Sequence, residues 1–290
     1  MKKFNKTGPM TLRRVIGNLL TQRRFISILA VAAGLLPAST AFAVPLDLTT
    51  PSHPPAVSGT INGAIYSTID SHPTGTGVFK PFLTYQANGI EEGYNTSQGG
   101  NGQGFLDTKR VPQWNHDLTV GDLAEVTIAG KTYFQFELDA NEKGNGNKDR
   151  LLSIDNIRIY TSADNTANRV GDGANIDDLG KLRYAQNALG STANWVLIDA
   201  SRAEGGSTSG SGSSDLIVYV PTDLFTGALD TDLVYFYTIN GVNNRADSGF
   251  EEWSALVAGV PDGGSTLLLL GSALTALGFM AGRRGFADHA

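Results

Sequence analysis

Cysteine is absent from the 290 residues, and with it go the disulfides, thiolate nucleophiles and thiolate metal sites that only cysteine supplies. A fold of this composition must be held by its core or by a cation with oxygen ligands. Histidine occurs four times. Of the three between residues 44 and 259, His53 and His72 stand beside proline in polar stretches, which leaves His116, with Asp117 and Trp114 near it, as the one histidine in an interesting neighbourhood. Basic charge is also scarce in the middle of the chain: residues 44–264 hold 13 Lys and Arg against 27 Asp and Glu. A net charge of that sign repels phosphate backbones and argues against a nucleic-acid partner. Long apolar runs are missing there too. What is present, 41% hydrophobic and 9% aromatic residues, is enough to bury a core.

The two apolar stretches lie near the ends. Lys2, Lys3, Lys6, Arg13, Arg14, Arg23 and Arg24 precede the run FISILAVAAGLL, and Ala41-Phe42-Ala43 follows it. Charged region, short apolar region and small residues are the order of a secretory signal peptide, predicted to span residues 1–43. The run is too short to cross a bilayer, which takes roughly 20 residues. Phe25 directly after Arg24 departs from a twin-arginine pattern, so the general export machinery is the expected route. Met10 would serve equally as a start, since everything the signal needs follows it.

Residues 265–282 are uncharged, and as a helix rising about 1.5 Å per residue they would span about 27 Å, close to the hydrocarbon thickness of a membrane. Arg283 and Arg284 follow at once and, by the positive-inside bias, would stop the helix on the cytoplasmic side. Just before it stand Val260, Pro261, Asp262, Gly263 and Gly264, whose proline and glycines keep the backbone non-helical and accessible.

That order of short proline motif, apolar helix and paired arginines resembles the VPDSG-type variant of the PEP-CTERM protein-sorting signals. The resemblance covers about 30 residues, and Asp262-Gly263 stands where most members have Glu-Pro. It implies that Val260–Gly264 is recognised and processed by an exosortase, a membrane-embedded, cysteine-dependent protease or transpeptidase. The expected organisation is a signal peptide at 1–43, an extracellular domain at 44–259, a sorting motif at 260–264, a transmembrane helix at 265–282 and a basic cytoplasmic tail at 283–290.

Between the two signals the pattern predicts an all-β, jelly-roll-like two-sheet β-sandwich. Nine β-branched and aromatic runs alternate with Gly, Asn, Asp and Ser clusters. They are TINGAIYSTI from Thr60, VFKPFLTYQ from Val78, LAEVTIA from Leu123, TYFQFELD from Thr132, LLSIDNIRIY from Leu151, NWVLIDA from Asn194, DLIVYVP from Asp215, LVYFYTIN from Leu233 and FEEWSALV from Phe250. Ala129, Gly130 and Lys131 read as a hairpin turn, with Phe134, Phe136 and Leu138 facing the core. LVYFYTI is apolar on both faces and is expected as a covered central strand. Only PTDLF from Pro221 and a turn near Asp178 look helical. The glycine- and serine-rich stretches from Asn95 and from Ala203 are expected as surface loops.

Oxygen ligands concentrate at FELDANEKGNGNKDRLLSIDNIRIY, where Asp139, Asn141, Glu142 and Asp155 are candidate ligands for a calcium ion. An EF-hand is excluded, because Lys143 occupies a ligand position and Arg150 stands where the closing glutamate belongs. A solvated turn is the other reading of the same residues. A pattern like it occurs in uncharacterised extracellular domains of the same sorting-signal group, and that resemblance implies no activity. A second acidic loop carries Asp172, Asp177 and Asp178. Glu91, Glu92, Glu251 and Glu252 offer paired carboxylates of the glycosidase kind, but spacing in sequence does not set the separation on which that chemistry depends. Trp114, Trp195 and Trp253 would suit stacking on sugar rings or packing in a core. No nucleophile motif is present. The expectation is a non-enzymatic structural or adhesive protein of the cell surface or extracellular matrix; the alternative is a carbohydrate-binding module or glycoside hydrolase that meets extracellular polysaccharide.

Overall fold

The computed structural model describes residues 45–49, 57–68, 79–99, 104–108, 111–142, 150–172, 175–200, 214–247 and 249–258, all within the compact unit Phe42–Ala290. The expected signal peptide, sorting motif, transmembrane helix and Arg283-Arg284 lie outside them. Among the described residues no helix is long and apolar enough to cross a membrane.

The strands are β1 (Leu46–Asp47), β2 (Ser58–Ile61), β3 (Ala64–Ser67), β4 (Pro81–Tyr85), β5 (Asn88–Gly89), β6 (Glu91–Tyr94), β7 (Leu118–Thr119), β8 (Glu125–Ile128), β9 (Lys131–Ala140), β10 (Leu151–Ser162), β11 (Lys181–Ala185), β12 (Val196–Asp199), β13 (Leu216–Pro221), β14 (Leu233–Asn240), β15 (Ala246–Asp247) and β16 (Glu251–Ala255). One seven-stranded sheet runs β1-β12-β10-β14-β6, with β11 also on β10 and β7 also on β14. The other runs β2-β3-β13-β9-β16-β4, with β8 on β9, and a two-stranded ribbon pairs β15 with β5.

Each of the nine expected runs contains a strand, but TINGAIYSTI is two. Asn62 and Gly63 take positive φ of 49° and 88° and fold β2 back onto β3. Asn-Gly with both residues left-handed is the two-residue turn whose twist matches a hairpin. Ala129 and Gly130, at φ of 50° and 78°, do the same between β8 and β9, and Lys131 already belongs to β9. The helical expectations are short 3-10 turns, at Ile176–Leu179 and Thr222–Phe225, and the one α-helix among the described residues, α1, covers only Ala167–Val170.

The two large sheets lie face to face over a shared core. Phe134, Phe136 and Leu138 of β9, Val218 and Val220 of β13 and Trp253 of β16 meet Ile157 and Ile159 of β10 and Val234 and Phe236 of β14. The Phe236 ring stands 5.0 Å from that of Phe136 and 5.7 Å from that of Phe82, so aromatic rings from both sheets interlock at the centre. Residues of the opposite parity on β14 and β10, namely Tyr235, Tyr237 and Tyr160, join Tyr94, Val170 and Leu179 in a second, smaller cluster on the outer face. That is why LVYFYTI is apolar throughout: β14 is covered on both sides.

One surface-loop expectation changes at its start, and the other lies almost wholly outside the described residues. Asn95 and Thr96 are buried. The Asn95 amide donates to the carbonyls of His116 (3.2 Å) and Val234 (3.0 Å) and its oxygen accepts from Phe236 N (2.6 Å), so it acts as a strut and not as loop. Of the stretch from Ala203, residues up to 213 lie outside the described residues, and Ser214 is buried, its hydroxyl donating to Glu137.

Candidate functional site

The carboxylates that sequence spacing could not place come together at one end of the two sheets. Glu91 on β6 and Glu251 on β16 belong to different sheets, yet both are 0% exposed and flank one hydrogen bond that crosses between the sheets, Asn240 Nδ2 to the Tyr85 hydroxyl, since Glu91 stands opposite Asn240 and Glu251 opposite Tyr85 in register. Alternation puts them there. Glu251 has the same parity as Trp253, which fills the core, and Glu91 the same as Gly93, across from outward-facing Glu92 and Tyr94. Around them the loop 86–90 and the loop 241–247 close tightly. A side chain at Gly241 would come within 2.0 Å of the Gly89 carbonyl oxygen, so only glycine allows this approach.

Few donors reach these carboxyls. Ala87 N donates to Glu91 Oε2 at 3.2 Å, while Glu91 Oε1 and both oxygens of Glu251 have no hydrogen-bond donor. The only hydrogen bond open between two carboxyls is one that shares a proton. Burial accordingly pushes Glu91 up to about 7, and burial followed by the charge of Glu91 pushes Glu251 well above the usual carboxylate range. Beside them Glu142, just past the end of β9, accepts from Asp247 N at 2.9 Å. Burial and the Asp247 carboxyl push Glu142 up to about 9. Tyr85 borders the pair, its hydroxyl accepting from Asn240 Nδ2 (2.6 Å) and Trp253 Nε1 (3.0 Å), and burial and the two glutamates keep it protonated.

The four expected calcium ligands occupy four different settings. Asp155 is the extra residue of a β-bulge, where the β10–β14 register shifts between Ile154 and Asn156. The bulge aims its buried carboxylate at the 242–243 turn. There it accepts from Ser153 Oγ (2.8 Å), Val242 N (2.7 Å), Asn243 Nδ2 (2.6 Å) and Asn243 N (3.3 Å). Asp139 is buried on the face of β9 opposite to Leu138 and Ala140, across from Glu252 in register. Asn141 ties its amide to the Phe250 carbonyl at 2.8 Å, and Glu142 joins the acidic cluster. Among the described residues no three His, Asp or Glu side chains stand in metal-binding geometry.

In the second acidic loop, Asp177 accepts from Arg158 Nη2 at 2.5 Å and from the Tyr160 hydroxyl at 2.7 Å, and Asp172 accepts from Leu106 N at 2.7 Å. Arg158, buried on the outer face of β10, also donates from Nε to Tyr160 and from Nη1 to the Asn187 carbonyl, both at 2.6 Å. His116 and Asp117 do not pair. Asp117 Oδ1 accepts from Thr96 Oγ1 and Ser97 N, and so closes a turn instead of orienting an imidazole. Of the tryptophans, Trp253 is core, Trp195 half-buried and Trp114 43% exposed. Sequence reasoning missed β6 altogether, because its Glu-Glu-Gly-Tyr has no apolar alternation; the charge in it belongs to the buried cluster.

By fold the described residues are thus mostly β, in two large sheets over a shared core with a buried acidic cluster at one end. Residues 259–284 match the family model of the VPDSG-CTERM motif, a C-terminal sorting signal of the PEP-CTERM type, which implies export, a cell-surface destination and processing by an exosortase-type enzyme. No curated protein and no solved structure matches the chain.

Proposed function

We propose that the protein is a non-enzymatic structural or adhesive component of the cell surface or extracellular matrix, built on a jelly-roll β-sandwich. In this reading it is exported by its signal peptide and held by the helix 265–282 until an exosortase cuts within Val260–Gly264. The observation that carries the reading is the sorting signal at 259–284, since it commits the chain to export and C-terminal processing. The jelly roll is supported by strand order. The antiparallel neighbours β4-β16-β9-β13 in one sheet and β6-β14-β10-β12 in the other make consecutive strands of this set alternate between sheets, save for β10 and β12, as two Greek keys do.

Support for the non-catalytic reading comes from the carboxyls themselves. A glycosidase needs two carboxyls flanking a substrate, and Glu91 and Glu251 meet where no substrate reaches them. The test is mass spectrometry of the C-terminal peptide from cells with and without exosortase. Material ending within 260–264 only when the enzyme is present supports the proposal, and intact Arg283-Arg284 peptides in most of the extracellular material refute it. Turnover of pooled glycans or model esters, lost on replacing Glu251 by Gln, would refute the non-enzymatic half.

A further inference from the structure

We propose that Glu91 and Glu251 form a proton-sharing clasp that fastens the two sheets to each other at this end of the fold and lets go as the medium turns alkaline. Three observations carry it. The partners sit on β6 and β16, strands of different sheets, so whatever joins them joins the sheets. Both side chains are fully buried, and Glu251 has no donor to either oxygen, so a proton is the means by which the pair as it stands can be attractive. Among the described residues the groups facing them are of one sign or neutral: Glu142 from the end of β9, Asp247 from β15, Asp107 acting on Glu91, the hydroxyl of Tyr85 from β4 and the amide of Asn240 from β14. The Arg245 guanidinium lies against Gly89 but is exposed to solvent.

With one proton between them, one carboxyl donates to the other and no net repulsion arises. With none, two buried carboxylates face each other beside further acidic groups and must separate or take up water. The linkage has a definite sign. Burial and the neighbouring carboxyls raise these acids in the folded chain from their ordinary value of 4.5, so the folded state binds more protons than the unfolded one. Stability is therefore full below that value and falls as pH rises through the raised range. The loops that would move are 86–90 and 241–247, which pair with each other through β5 and β15. In an exported protein this end of the fold meets the pH of the surroundings directly.

The experiment is thermal melting of the full-length chain in detergent with chelator, from about pH 5 to about pH 9.5, with hydrogen exchange followed in the loops 86–90 and 241–247. Wild type should lose more than about 5 °C over that range, with exchange in the two loops speeding up first. Glu251→Gln should remove half or more of the loss, because an amide donates to Glu91 at every pH. Glu91→Gln gives the same reading should the first variant not fold. A melting temperature that is flat or rises with pH overturns the clasp, as does an unchanged loss in both variants. So does millimolar calcium that restores wild-type melting at alkaline pH but not that of the variants, an outcome that would make the pair a cation site.

Discussion

Trp253 of one sheet lays its ring 4.7 Å from that of Phe236 in the other, while its indole N–H donates to the Tyr85 hydroxyl at 3.0 Å. One side chain thus ties the apolar centre of the fold to the edge of the acidic cluster. Phe236 is the hub, touched by Phe82, Phe136 and Trp253. Phe236→Ala is expected to cost about 3–5 kcal/mol, the lost transfer energy plus the cavity left among rings too large to collapse into it. Denaturant melts of the two chains measure this, and a cost below about 1 kcal/mol would mean that the sheets do not depend on this contact.

Asp155→Ala removes the acceptor of four hydrogen bonds and leaves Val242 N and Asn243 N without it. The expected loss is about 3 kcal/mol, and it should be the same with calcium or with chelator, since the carboxylate is filled by donors. A loss that appears only when calcium is present would restore the cation reading of this residue.

Glu142→Gln tests the neighbour of the clasp on its own. Glu142 is raised from 4.5 to about 9 by burial and by Asp247, so its contribution to stability declines as pH climbs across that window. A glutamine does not titrate. The variant should gain on wild type with rising pH, by about 2 °C or more in melting temperature at the alkaline end, and should show no such gain in acid. Parallel melting curves at all pH values would contradict the burial of an uncharged Glu142.

Tyr160→Phe deletes the hydroxyl that accepts from Arg158 and donates to Asp177. Arg158 keeps Asn187 and Asp177 as partners, so the cost is expected to be modest, about 1–2 kcal/mol. Equilibrium unfolding measures it. Arg158→Ala should cost more, because the Tyr160 hydroxyl and the Asn187 carbonyl then lose their donor and Asp177 keeps only that of Tyr160.

How much of this was legible in the sequence differs by level. Alternation revealed β9, β10, β13 and β14 because their inward residues pack on one face, and the double-sided apolar pattern of β14 correctly implied cover on both sides. The Asn62-Gly63 turn was also legible, since Asn-Gly between apolar runs is a hairpin signal, and reading through it as one strand overlooked the turn chemistry. β6 was hidden, because a strand whose inward residue is an acid has no apolar period. Glu91 and Glu251 were legible as carboxylates and nothing more. Their meeting depends on two strands of different sheets, some 160 residues apart in the chain, and no local rule carries that information. Asp155 was legible as a candidate oxygen ligand, but the bulge that turns it toward the 242–243 turn was not.

The last described strand has a mechanical consequence. β16 lies inside its sheet, hydrogen-bonded to β4 on one side and β9 on the other, and pairing continues past it through the Leu123–Val257 bridge to Ala258 N on the Asp122 carbonyl at 2.8 Å. Only residue 259 separates that bond from Val260, so a cell that holds this chain by its processed C-terminus pulls almost directly on an interior strand. Force along β16 loads both ladders in shear, with many bonds sharing the strain at once, whereas an edge strand would peel away one bond at a time. A hold at that end would therefore load an interior strand and not an edge.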